Sequence, residues 1–150
     1  VVEVATGETL DAAARRLVWE PLGLESLRFR PGPHRGAAPT TSREGPEGTP
    51  VTLRGTVHDG NARAIEAGGA SVSGNAGCFG TVADVARFGE AVRAGGVFGA
   101  PTRARLLSPQ STPPGHTLAF FCAPNPLTPA GDLLSDAAVG HSGYTGTVLT

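Results

Sequence analysis

Leu10, Ala13, Ala14, Leu17 and Val18 fall at i, i+3, i+4, i+7 and i+8, the signature of one buried helix face. The pattern predicts a helix capped by Thr9 and running to about Trp19. Before it, "VVEVATGETL" reads as a helix already under way that stops at Gly7. After it, Glu20-Pro21-Leu22-Gly23 closes the helix, because proline lacks a donor and glycine permits a sharp turn. Residues 30–56 are rich in Pro, Gly, Thr and charge, and predict an irregular surface loop. A short helix is expected within Val57–Ala67, with Asp59 as cap and Ala62, Ala64 and Ile65 inward. Residues 68–80, "GGASVSGNAGCFG", carry too many glycines for regular structure.

The clearest helix spans 82–94. Thr81 stands as its cap, with Asp84 three positions on to help satisfy the free amides there. Val82, Val85, Ala86 and Val92 make its apolar face with Phe88 on the flank, and Gly95-Gly96 closes it. Pro101–Leu107 predicts one more short helix. Residues 116–124, "HTLAFFCAP", and 137–150 read as two strands. There are no internal repeats. The first residues fall inside a helix and the last inside a strand, so the pattern predicts a domain truncated at both ends.

Composition narrows the chemistry. The 150 residues carry a net charge of −1, with basic residues scattered, which gives no footprint for nucleic acid or an anionic membrane. No apolar run reaches the length of a membrane span, and no signal peptide opens the chain. All 12 basic residues are arginine. Without a lysine, these residues supply no Schiff base, no P-loop and no Ser-x-x-Lys dyad. Cys78 and Cys122 suit either a bridge or two free thiols.

Most candidate sites dissolve on spacing. His58, Asp59, His116, Cys122 and His141 are metal-ligand types, but none stands in a ligand spacing, so no metal or other cofactor is expected. "GGASVSGNAG" lacks both phosphate-loop patterns. Asp132 and Asp136 read as solvated charge.

The stretch "GHSGYTGT", residues 140–147, is different. Ser142 sits among glycines beside His141, yet the second glycine comes one place too early for a nucleophile elbow. On a strand His141 and Ser142 point to opposite faces, so the imidazole cannot take that hydroxyl's proton. His141 and Gly143 share a face, and a glycine there lets a ligand approach the backbone beside the imidazole. The Tyr144 amide can then donate to a developing oxyanion, with His141 suited to proton traffic near neutral pH. A plain strand entry with turn glycines and a surface histidine fits the same residues.

Motif order separates these readings. "EVATGETLDAAARRLVWEPLGLESLRFRP", then "GTVHDGNARAIEAGGASVSGNAGCFGTVADVARFGEAV", then "GHSGYTGTVL" resemble three successive stretches of the serine β-lactamase-related family. That family joins class C β-lactamases, D-alanyl-D-alanine carboxypeptidases and esterases. The middle stretch is similar to the family's Val-His-Asp-x-Asn-Ala, Gly-His-Ala-Gly-Leu-Phe and Ala-Asp-Leu-Ala-Arg-Phe. Asn75 departs from the usual histidine and Cys78 from the usual leucine. The last stretch resembles Lys/His-Thr-Gly, an aromatic residue, then Thr-Gly-Thr. Loops at 34–50 and 96–135 fall outside the resemblance.

The resemblance implies an α+β fold, an antiparallel sheet flanked by helices, of which residues 1–150 are a part. It implies a serine hydrolase that forms an acyl-enzyme on a β-lactam, a D-Ala peptide or a small ester, using no cofactor. Its partner is a small-molecule or peptidoglycan-like substrate. His141, Ser142, Gly143 and Tyr144 match the substrate-binding and oxyanion strand, with Ser142 in the place of the threonine. None of the nucleophile or base residues is present, since Ser-x-x-Lys needs a lysine and the only tyrosine is Tyr144. The chain alone is therefore expected to be inactive, with its nucleophile supplied from upstream. Relatives of this kind are often exported, and the sequence leaves the compartment open. The competing class is a non-catalytic ligand- or partner-binding module of the same fold.

Overall fold

Gly7 ends the first helix as predicted: α1 (Val2–Thr6) stops where Gly7 turns left-handed at φ 70° and donates to the Glu3 carbonyl at 2.9 Å. The computed structural model describes residues 1–150 apart from 34, 35, 45, 97, 112–114 and 124–133. The described chain forms two units, Val1–Asp84 and Val85–Thr150.

In the first unit α2 (Leu10–Ala14) begins beside Thr9, but the Thr9 hydroxyl donates to Asp11 at 2.8 Å and caps nothing. Glu3 of α1 does that work, accepting the Leu10 amide at 2.9 Å. The Ser71 hydroxyl and the Leu10 amide together hold the Glu3 carboxyl below its ordinary range. After Ala14 the chain widens into a π-type turn, Arg15–Trp19, and re-enters α3 (Glu20–Leu22) before Gly23 reverses it at φ 62°. The widened turn rotates the stripe. Leu17, predicted inward, is 46% exposed, while Trp19 is buried and its ring lies 5.8 Å from that of Phe29 in β1 (Arg28–Phe29).

Residues 30–56 are not an irregular loop throughout. β2 (Pro39–Glu44) and β3 (Pro50–Arg54) form an antiparallel hairpin in which Thr41 faces Leu53 and Ser42 faces Thr52. β3 alternates half-buried and exposed positions, with Val51 and Leu53 inward. That alternation was readable, but a run this short is easily lost among turn residues. α4 (Gly60–Ala67) has the predicted cap: the Asp59 carboxylate accepts the Ala62 amide at 2.8 Å. Ala62 is fully buried. Ala64 and Ile65 instead point outward, because the inward stripe of this short helix runs through Ala62, Arg63 and Glu66. The glycine-rich stretch also yields a strand, β4 (Cys78–Phe79), antiparallel to β1. Among the described residues of this unit, Ala13, Trp19, Leu24, Val57, Ala62 and Val72 are the buried apolar side chains.

α5 (Val82–Ala94) has the predicted bounds. Thr81 accepts the Asp84 amide at 3.3 Å, as a cap should. The Asp84 carboxylate does something else. It is buried, and accepts both the amide and the hydroxyl of Ser26, at 2.7 and 2.6 Å. Ser26 in turn accepts the Thr81 amide at 2.9 Å. One serine thus ties residue 26 to the start of a helix far along the chain.

The second unit holds the rest of α5. Its inward stripe is Val85, Phe88, Gly89 and Val92, whereas the predicted Val82 and Ala86 are exposed. A Cβ on Gly89 would lie 2.8 Å from a terminal methyl of Leu149, so the leucine side chain packs directly over this glycine. Gly95 and Gly96 both donate to the Ala91 carbonyl at 2.8 Å, closing α5 as predicted. α6 (Ala100–Leu107) follows, and Arg103 reaches back to donate to the last carbonyls of α5, Val92 at 3.0 Å and Arg93. β5 (Phe121–Cys122), β6 (Val139–Ser142) and β7 (Val148–Leu149) make an antiparallel sheet in that order. The fold class is α+β, helices with antiparallel sheets. Among the described residues no helix is long and apolar enough to cross a membrane.

Candidate active site

Both predicted strands of this unit break into tighter structure, and the breaks shape the site. Among the described residues of 116–123, Phe121 and Cys122 extend as a strand. The Thr117 side-chain oxygen accepts the amides of Ala119 and Phe120, at 3.1 and 2.9 Å, and folds 117–120 into a turn. His116 bridges back to Phe121 across its neck. Residues 137–150 form a hairpin, not one strand. β6 pairs with β7 through His141–Leu149 and Ser142–Val148, joined by a turn at 143–147.

That turn explains Gly143. Its amide donates to the Thr147 carbonyl at 2.6 Å, and a Cβ on it would collide with the Thr147 hydroxyl oxygen. The sequence alone suggested a bare face for a ligand; the structure shows a close approach within the hairpin. Gly146, at φ 86°, donates to the Gly143 carbonyl at 3.0 Å and completes the reversal. Tyr144 stands in this turn, 88% exposed.

His141 lies where two ladders divide. β5 pairs with Val139 and Gly140 and goes no further, so His141 is the first β6 residue past that ladder. It is exposed, and Ser142, facing the other way, is half-buried. The imidazole Nδ1 lies 2.7 Å from the Ser142 carbonyl oxygen, so the histidine engages that residue's backbone. Its ring packs beside Phe121 with centroids 5.1 Å apart and planes tilted at 36°, and His116 lies 5.0 Å from Phe121 in turn. The 116–121 turn and His141 line a shallow, open cleft of about 210 Å³.

Thr117 and Phe121 carried no signal in the sequence, where an apolar run reads as strand. His116 entered only as a possible ligand. The other candidate groups stay apart. Asp59 is a helix cap, and Cys78 and Cys122 are free thiols, the first exposed and the second buried. Among the described residues no three His, Cys, Asp or Glu side chains gather to hold a metal. Asp132, one half of the carboxylate pair, lies outside the described residues.

A family model described as Beta-lactamase matches residues 1–150. Two curated relatives, from Escherichia coli strain K12 and from Escherichia coli O157:H7, are each named "Putative D-alanyl-D-alanine carboxypeptidase". Each is 32% identical to the chain over an alignment covering 99% of it and 38% of the relative's own length. No solved structure matches. With the family model matched from the first residue to the last, across the helices and the histidine hairpin alike, the chain belongs to the beta-lactamase family.

Proposed function

We propose that the chain is part of a serine hydrolase that acts through an acyl-enzyme on an amide or ester, and that residues 140–144 form one rim of its acyl-binding cleft. The observation that carries this reading is the exposed imidazole of His141 lining the cleft, where the β5 ladder has ended. In this reading the substrate lies along that rim. The Tyr144 amide donates to the oxyanion, His141 faces the reacting group, and Ser142 frames the substrate from the neighbouring position. The attacking hydroxyl comes from outside residues 1–150. The absence of lysine supports that assignment, since the Ser-x-x-Lys pair of the family cannot be built from these residues.

β-Lactams, acyl-D-Ala-D-Ala peptides and small esters share the chemistry such a site handles, an acyl carbon with a displaceable nitrogen or oxygen. The purified 150-residue chain is expected to show no sustained turnover of a chromogenic β-lactam or a p-nitrophenyl ester. Turnover by the chain alone, abolished by a serine-reactive phosphonate, contradicts the assignment of the nucleophile elsewhere. A chain that binds an acyl-D-Ala-D-Ala peptide, in a protein whose longer forms also fail to hydrolyse it, favours a non-catalytic binding module.

A further inference from the structure

His141 is held in two ways that the proposed function does not itself require. A carbonyl oxygen only accepts. The 2.7 Å contact between Nδ1 and the Ser142 carbonyl is therefore a hydrogen bond only when Nδ1 carries the proton. In the neutral ring that leaves Nε2 as the unprotonated nitrogen, the reverse of the tautomer that free imidazole side chains prefer in water. The second constraint is a ring contact. Phe121 lies beside the imidazole with centroids 5.1 Å apart and planes tilted at 36°, and His116 lies 5.0 Å from Phe121. Phe121 is fixed by its own ladder bonds, opposite Gly140, the residue just before His141. The Phe121 ring and the imidazole therefore stand on one pair of hydrogen-bonded strands, while the ring of an exposed histidine on a bare edge would rotate among its staggered positions.

We infer that Phe121, supported by His116, is a positioning residue that together with the Ser142 carbonyl holds His141 as its Nδ1–H tautomer, presenting Nε2 to the cleft as a hydrogen-bond acceptor. The tautomer and its cause rest on the geometry of the hairpin alone. Their use toward a substrate rests on the proposed function. With Nε2 unprotonated, neutral His141 accepts a proton or a hydrogen bond from a group entering the cleft, and does not donate one there.

The test uses the 150-residue chain with isotope-labelled histidine, its nitrogen spectrum recorded at about pH 8.5, where ordinary imidazoles are neutral. The His141 signals are identified by their loss in His141→Gln. For the unaltered chain a pyrrole-type shift at Nδ1 and a pyridine-type shift at Nε2 are expected. In Phe121→Leu, which keeps an apolar side chain but removes the ring, both shifts should move toward the mixture seen for free histidine. Phe121→Trp should keep them near those of the unaltered chain. A protonated Nε2 in the unaltered chain overturns the inference even if no variant folds, and so does a Phe121→Leu spectrum that leaves the His141 shifts in place. The expected shifts, joined to full turnover by His141→Ala in a longer, active form, would leave the tautomer standing and remove the proposed function.

Discussion

Asp84→Ala is expected to lower stability by about 3 kcal/mol, one of the largest effects of any single substitution in the chain. The carboxylate is buried and accepts two hydrogen bonds from Ser26, one from its amide and one from its hydroxyl. Bonds to a charged acceptor contribute about 1.5–3 kcal/mol each, and the alanine also leaves the two part-buried Ser26 donors without that acceptor. The damage spreads, because Ser26 also accepts the Thr81 amide and Thr81 accepts the Asp84 amide. Ser26→Ala removes only one of the two bonds to the carboxylate and should cost less, and Asp84→Asn, which keeps one acceptor oxygen, should fall between the two. Urea unfolding of the three variants checks the order. An Asp84→Ala chain as stable as the unaltered one would show that the network contributes nothing.

His141→Ala, made in a form of the protein that hydrolyses its substrate, is expected to lower kcat/KM by about a hundredfold, or about 2.7 kcal/mol of transition-state stabilisation. The melting temperature should hardly move, because the imidazole is exposed and its loss opens no core cavity. Ser142→Ala separates the two readings of the hairpin. A residue that frames the substrate should cost less than about tenfold, whereas loss of a catalytic nucleophile costs on the order of a millionfold. Ser142 faces away from the imidazole, and His141 meets its carbonyl oxygen at Nδ1. Both facts favour the smaller effect.

Several helix ends were legible in the sequence because they carry their own boundaries. Gly7, Gly23, Asp59, Thr81 and Gly95 act on amides and carbonyls within a turn of themselves, so their chemistry is local and survives without tertiary context. The inward faces were less legible. Leu17 gave way to Trp19 when one turn widened, and no residue type announces a π-type turn. Asp84 looked like a local cap and proved to bind Ser26, a partner that only folding brings near. The strands were hardest. β1 and β4 are two residues each, too short for a period of two to register, and β4 sits in a glycine-rich stretch. In the site, the hairpin residues stood out through their glycines and their likeness to a family motif. The ring beside His141 did not, because Phe121 gains its role from pairing with Gly140, and no local signal marks that pairing.

The central claim, that residues 140–144 line the acyl-binding cleft, is tested most directly by the structure of a longer, active form acylated by a slowly released β-lactam. The account predicts the acyl carbonyl oxygen about 3 Å from the Tyr144 amide nitrogen, with the His141 ring against the bound group. An acyl group bound on another surface, with the 140–144 hairpin out of hydrogen-bond reach, would contradict it.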